Sequence, residues 1–234
     1  MDFKNILADT AHKKSQVITA ISEATKQEII KYTDCDPDKV KVVPVAISDK
    51  YRCVPKDFNH SKPVILNIGM APNKNLIRLI EAIEGLEVHL CIVGKLNDEY
   101  IAKLKSYNIE YSNAFGISDE EMIQKYIDCD LMAFVSTYEG FGMPILEAQA
   151  TGRVVITSDV SSMPEVAGFG AHFIDPFEVS SIRTGILKVI NDATYRDELI
   201  DKGFKNIQRY NPDRIAGMYE EIYHEVYRIN NHKG

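Results

Sequence analysis

The chain has 234 residues, 45% hydrophobic and 26% charged, with a formal net charge of −7. That acidic balance, with no block of lysine and arginine, disfavours binding along the phosphate backbone of a nucleic acid, although one lysine and one helix N-terminus suffice for a small anion. No run of 18 apolar residues is present to span a bilayer, and Cys35, Cys53, Cys91 and Cys129 form no C-x-x-C pair, which argues against a zinc site or a disulfide framework.

The opening stretch MDFKNILADTAHKK lacks the apolar core of a signal peptide. With Cys91 and Cys129 in or beside apolar runs, reading as buried thiols, a cytoplasmic protein is expected. A β-branched run at Val17–Ile21 is followed by a helical stretch that Ser22 can cap and by a second run at Val42–Ile47. Asp49 to Lys62, with Pro55 and Asn59 inside it, reads as a linker.

From Val64 onward apolar runs alternate with helical patterns. The runs are Val64–Ile68, Val88–Val93, a weaker Ile109–Ala114, Leu131–Val135, Val154–Thr157 and Ala171–Ile174. Helical patterns include Leu76–Glu84, Asp119–Asp128 and Val179–Ile190. The order βαβαβαβαβα predicts an α/β fold with a doubly wound, parallel, Rossmann-like sheet covered on both faces. The last segment, Pro212 to Ile229, places Ile215, Met218, Tyr219, Ile222, Tyr223, Val226 and Ile229 on one face of an amphipathic helix.

If the sheet winds in the order 3-2-1-4-5-6, its first and fourth strands are neighbours, and ligands bind outside their carboxyl ends. The first ends in Gly69-Met-Ala-Pro-Asn-Lys-Asn and the fourth in Ser136-Thr-Tyr-Glu-Gly-Phe-Gly-Met-Pro. In the second stretch Gly140 and Gly142 allow a tight turn and close approach to a ligand, and Pro144 suits a first helical turn. Such a turn aims backbone N–H groups and the positive helix end at a phosphate. Glu147, about one turn into the helix, can accept two bonds from a vicinal diol, each contributing roughly 1.5–3 kcal/mol. Glu139 lies on the other side of the phosphate position.

Other motifs fit less well. A dinucleotide fingerprint needs a third glycine where Ile145 stands, and a P-loop's Gly-Lys-Ser/Thr is absent. A hydrolase pair is disfavoured because the intervening helix start gives the two carboxylates different environments. Ser118-x-x-Glu121 and Ser162-x-x-Glu165 read as capping boxes, the second with Pro164 inside it. The six histidines are scattered without metal-ligand spacing.

The stretch YEGFGMPILE resembles the E-x7-E motif of the retaining family-4 glycosyltransferases, which have the two-domain GT-B fold. ITAISEATKQEII and KVVPVAI resemble the end of that family's first domain, GMAPNKNLIRLIEAI the first strand-loop-helix of its donor domain, and MPILEAQATGRVVITSDVSSMPEVAG continues the likeness. The resemblance implies that Glu147 holds the donor ribose and that Glu139 contacts the donor sugar. It aligns the backbone from Gly140 through Phe141, Gly142 and Met143 to Pro144 with the sugar and diphosphate. It implies that Lys74, in the loop with Gly69 and Asn73, neutralises the leaving diphosphate. Base contacts fall to main chain around Ile117, and Ser162 lies near the donor phosphates. Met70 stands where the family usually has an arginine.

The implied activity is metal-independent hexosyl transfer with retention, with no cofactor beyond a GDP-, UDP- or ADP-linked sugar as donor and a saccharide or lipid-linked acceptor. The resemblance divides the chain into residues 1–50 as part of an acceptor domain, 51–62 as linker, 63–210 as the donor-binding domain and 211–234 as a crossover helix. It implies a homodimer or an acceptor-domain partner, at most peripheral membrane contact, and poor transfer by this chain alone. A non-catalytic nucleotide-sugar-binding or assembly module is the alternative, and a nucleotide-sugar epimerase on the same fold is a third reading.

Overall fold

A computed structural model of the chain describes residues 15–231. These fall into two compact units, residues 47–208 on one side and, on the other, residues before 47 together with those after 208.

In the smaller unit, β1 (Ile18–Ala20) and β2 (Val40–Val42) pair in parallel around α1 (Glu23–Thr33). The Ser22 side chain caps α1 by accepting from Thr25 N–H at 3.0 Å. Ala20, Cys35 and Val40 form a small core with Ile18, Ile29 and Ile30. The second strand lies earlier than the Val42–Ile47 run suggested. Its ladder ends where Val43 N–H donates to Ala20 O at 2.8 Å, because the next acceptor along β1, Ser22 O, is taken by Lys26 N–H at 2.9 Å where α1 begins.

The larger unit runs β3 (Val64–Ile68), α2 (Leu76–Ala82), β4 (His89–Val93), α3 (Asp98–Ser106), β5 (Tyr111–Ala114), α4 (Asp119–Asp128) and β6 (Leu131–Phe134). It continues through α5 (Met143–Thr151), β7 (Val154–Ser158), α6 (Met163–Ala167), β8 (His172–Ile174), α7 (Val179–Asn191) and α8 (Ala193–Ile207). The strands form a wholly parallel sheet in the order β5-β4-β3-β6-β7-β8, the expected winding counted from β3. Its switch point lies between β3 and β6. The weak run at 109–114 is the edge strand β5, whose residues are half-buried or exposed, which accounts for its thin apolar content.

Ile65, Leu90, Ile92, Leu131, Val154 and Ile156 of the sheet pack with Leu79 and Ile80 of α2, Leu104 of α3 and Ile182 and Ile186 of α7 in one continuous core. Burial pushes the Cys129 thiol up to about 12, so it stays protonated and apolar. The segment 51–62, expected as a linker, is strapped along this unit. Buried Asp130 accepts from Val64 N–H at 2.7 Å, Asn59 N–H at 3.0 Å and the Lys56 ammonium. Arg153 Nη2 donates to Val54 O at 2.9 Å. The terminal helix α9 (Pro212–Asn231) clusters with the smaller unit, where Lys41 Nζ lies 3.3 Å from Glu225.

Candidate functional site

Two loops meet at the switch point. After β3 the chain turns at Gly69, whose φ of +93° is left-handed and where a Cβ would stand 2.9 Å from Lys74 Cε. A short 3-10 turn, Pro72–Lys74, then leads into Asn75, itself left-handed at φ 60°. Asn75 is buried, and its Nδ2 donates to Val135 O at 3.0 Å and to Pro176 O at 2.7 Å, tying the loop to the ends of β6 and β8. Asn73 extends the link: its Nδ2 donates to Tyr138 O at 2.8 Å, and its carbonyl accepts from Thr137 N–H at 2.8 Å.

Lys74 and Glu139 form the centre of this junction. Lys74 Nζ lies 2.6 Å from Glu139 Oε1, with side chains 21% and 14% exposed, and 4.8 Å above the Phe134 ring. Asn73 Nδ2 is 3.4 Å from the same carboxylate oxygen. The backbone of Glu139 is clamped from the loop after β7: Ser161 Oγ lies 2.6 Å and Ser162 Oγ 2.9 Å from Glu139 O, and Ser162 Oγ is 2.7 Å from Phe141 O.

Ser162 therefore does not cap α6 as the expected box requires. Its hydroxyl is fully buried and directed to loop carbonyls, and α6 has no side-chain cap. By contrast, the Ser118–Glu121 box forms with both bonds. Ser136 Oγ, buried at the end of β6, has no protein partner.

The turn ends at Gly142, φ +115°, immediately before α5, with Pro144 in the first helical turn and Gly152 closing the helix in the left-handed region. A Cβ on Gly142 would lie 3.2 Å from Ile145 Cδ1 and 3.4 Å from Phe134 Cε1. Phe141 is buried, while Met143 and Pro144 are half-buried. Glu147 follows one turn later, also half-buried. The Tyr126 hydroxyl, from α4, donates to its carboxylate, and the Tyr51 hydroxyl, from the segment before β3, lies beside it. Burial raises the Glu147 carboxyl above its ordinary value, and the two neighbouring phenols, Tyr126 before Tyr51, oppose that rise without cancelling it.

The fold thus gathers Gly69, Asn73, Lys74, Glu139, Gly140, Phe141, Gly142, Met143, Pro144 and Ser162 from three loops at one switch point, with Glu147 just beyond on α5. Ile117 lies past the end of β5, with β4 between that strand and β3. Met70 packs over Gly94 at the end of β4, where any Cβ would come within 2.2 Å of Met70 Cγ. Sequence reading passed over Tyr51, Tyr126 and Ser161. Tyr126 carried only the signal of an apolar helix position, and Tyr51 stood in an expected linker. Among the described residues, no three His, Cys, Asp or Glu side chains come together as a metal-ligand set.

Residues 54–206 match the family of glycosyl transferases group 1. The chain belongs to that family. Among curated relatives, the serotype-specific mannosyltransferase WbdA of Escherichia coli is 30% identical over 221 residues, covering 84% of this chain and 27% of the relative. The O-antigen chain mannosyltransferase B of Escherichia coli is 27% identical over 223 residues, covering 84% of this chain and 57% of the relative. The chain thus spans between about a quarter and three-fifths of the length of these two relatives.

Among solved structures, Anabaena Alr3699/HepE in complex with UDP and glucose superposes with a TM-score of 0.85 at 19% identity, covering 95% of this chain and 66% of that one. Sucrose-phosphate synthase from Thermosynechococcus elongatus gives a TM-score of 0.81 at 17% identity, covering 97% of this chain and 61% of that one. At those identities the likeness is one of fold, the Rossmann-like fold of glycosyltransferases. For a group 1 member, a glycine turn flanked by two glutamates at the switch point is a surface able to hold an anion beside a diol.

Proposed function

We propose that this chain is the donor-binding half of a retaining, metal-independent glycosyltransferase that moves a hexosyl group from a nucleoside-diphosphate sugar to a saccharide or lipid-linked acceptor in cytoplasmic glycan assembly. The observation that carries the reading is the junction at the switch point. Lys74 and the N-terminus of α5 flank the position of a diphosphate, Glu139 faces the sugar side and Glu147 the ribose side. As the bond from the anomeric carbon to the diphosphate opens, positive charge spreads over the sugar ring and negative charge grows on the leaving group. Lys74 and the helix end stabilise that negative charge without reorganising. Relatives named as mannosyltransferases make mannose the first sugar to try.

Calorimetric titration of GDP, UDP and ADP into the full chain tests this. One nucleotide binds, and Glu147→Ala weakens it roughly tenfold or more, the loss of one or two charged hydrogen bonds. No binding of any of the three sinks the donor-site reading. In the same assay Lys74→Ala weakens the diphosphate more than the corresponding monophosphate, because the ammonium is assigned to the diphosphate. An equal loss for both overturns that role.

A further inference from the structure

A glutamate on a helix has three rotatable side-chain bonds, and a carboxylate that swings among rotamers must be ordered before it can grip a diol. Two phenols restrain Glu147. Tyr126, fully buried near the end of α4, donates its hydroxyl to Oε2. The Tyr51 hydroxyl lies beside the same carboxylate, brought there from a segment far away in sequence. The two rings meet edge to face, centroids 5.5 Å apart at 87°, so each phenol limits the motion of the other.

Tyr51 is in turn fixed by a local turn. Its N–H donates to Ser48 O at 3.1 Å, Lys50 N–H donates to Ser48 Oγ at 3.3 Å, and Arg52 Nε donates to Asp49 O at 2.9 Å. Lys50 Nζ, 3.4 Å from Asp119, links the same turn to the start of α4, the helix that carries Tyr126.

We propose that Tyr51 and Tyr126 are positioning residues that clamp the Glu147 carboxylate in one orientation, leaving its remaining acceptor sites for the ribose diol. This deepens the donor-site reading and rests on it. An ionised carboxylate offers about four lone-pair sites, so two phenols leave capacity for both hydroxyls of a diol. Burial, and after it the neighbouring Glu147 charge, holds both phenols above the ordinary tyrosine range. Both therefore stay donors at any working pH. Neither tyrosine touches the reacting atoms; they act through Glu147.

The test begins without ligand. In carboxyl-carbon NMR titrations of the full chain, with the Glu147 signal assigned by Glu147→Gln, Tyr51→Phe shifts the Glu147 midpoint to higher pH. Tyr126→Phe shifts it in the same direction. A tyrosine that merely packed would lower thermal stability and leave the midpoint where it was. With whichever of GDP, UDP and ADP binds the parent chain, Tyr51→Phe weakens affinity about threefold to tenfold, and the loss grows as pH falls.

An unmoved midpoint in folded Tyr51→Phe overturns the clamp, whatever the nucleotide data. A moved midpoint with no nucleotide bound by the parent chain leaves the phenols holding Glu147 and removes the donor-site reading instead. If Tyr126→Phe does not fold, Tyr51→Phe alone decides, since its side chain is only half-buried.

Discussion

Glu147 shows how a single residue carries both stability and binding. Burial raises its carboxyl above the ordinary value of 4.5, with the Tyr126 and Tyr51 hydroxyls beside it acting the other way. A carboxyl whose folded value exceeds its unfolded one binds more protons in the folded state between those two values. Folding stability from this group is therefore full below the unfolded value and is lost as pH rises through the folded one. Glu147→Gln removes that dependence. Its melting temperature relative to the parent chain is expected to climb as pH rises from the unfolded carboxyl value through the higher folded one, and then to level off; a difference that stays flat would mean the ionised carboxylate bears no desolvation cost. The glutamate itself was legible from its place eight positions after Glu139. Its phenol partners were not, because Tyr51 stands 96 positions away and no local pattern marks a residue that reaches so far.

At the scale of elements, Asp130 is the anchor of the segment that leads into β3. Its side chain is fully buried and accepts from Val64 N–H, Asn59 N–H and the Lys56 ammonium. Asp130→Ala strands two N–H groups and releases a lysine, and is expected to cost about 2–4 kcal/mol in urea denaturation. A second anchor holds α8 against the turn before β8. Added to Gly170, a Cβ would fall 2.5 Å from Gly203 Cα, backbone that cannot yield as a side-chain tip can. Beside that contact Asn206 Nδ2 donates to Gln149 Oε1 at 2.9 Å and to Val166 O at 2.8 Å. Gly170→Ala is therefore expected to destabilise by about 1–3 kcal/mol through overpacking, read from the same denaturation curves; an unchanged midpoint would mean that α8 shifts freely. Helix starts at Ser22 and Ser118 were readable, because an N-cap, and at Ser118 a full capping box, is satisfied within four residues. The end of β2 and the partners of Ser162 were misread: β1 turns into α1 at Ser22 and leaves β2 no further acceptor, and distant carbonyls outcompeted the local cap.

For the whole molecule, the switch point lies in the larger unit, so a nucleotide bound there stabilises that unit first. At about a hundred times its dissociation constant it adds about 2.7 kcal/mol. Hydrogen exchange with bound nucleotide is expected to slow over residues 69–75 and 137–147, with β1 and β2 unaffected; uniform protection of both units would contradict a donor site confined to the larger one. The sequence by itself determined the parallel sheet, the glycine turn after its fourth strand from Val64 and the two glutamates around that turn, while the winding order that puts the turn at the switch point was an assumption the structure bears out. Those features follow from repeats of two and 3.6 residues, from turn chemistry and from chirality, all of which act over short stretches. Only the tertiary structure decided that Lys74 pairs with Glu139, that Met70 is laid over Gly94, and that two tyrosines from separate segments meet on Glu147. Each of those depends on which side chains packing brings within about 3–4 Å, and hydrogen bonds and dispersion contacts fall away beyond that range.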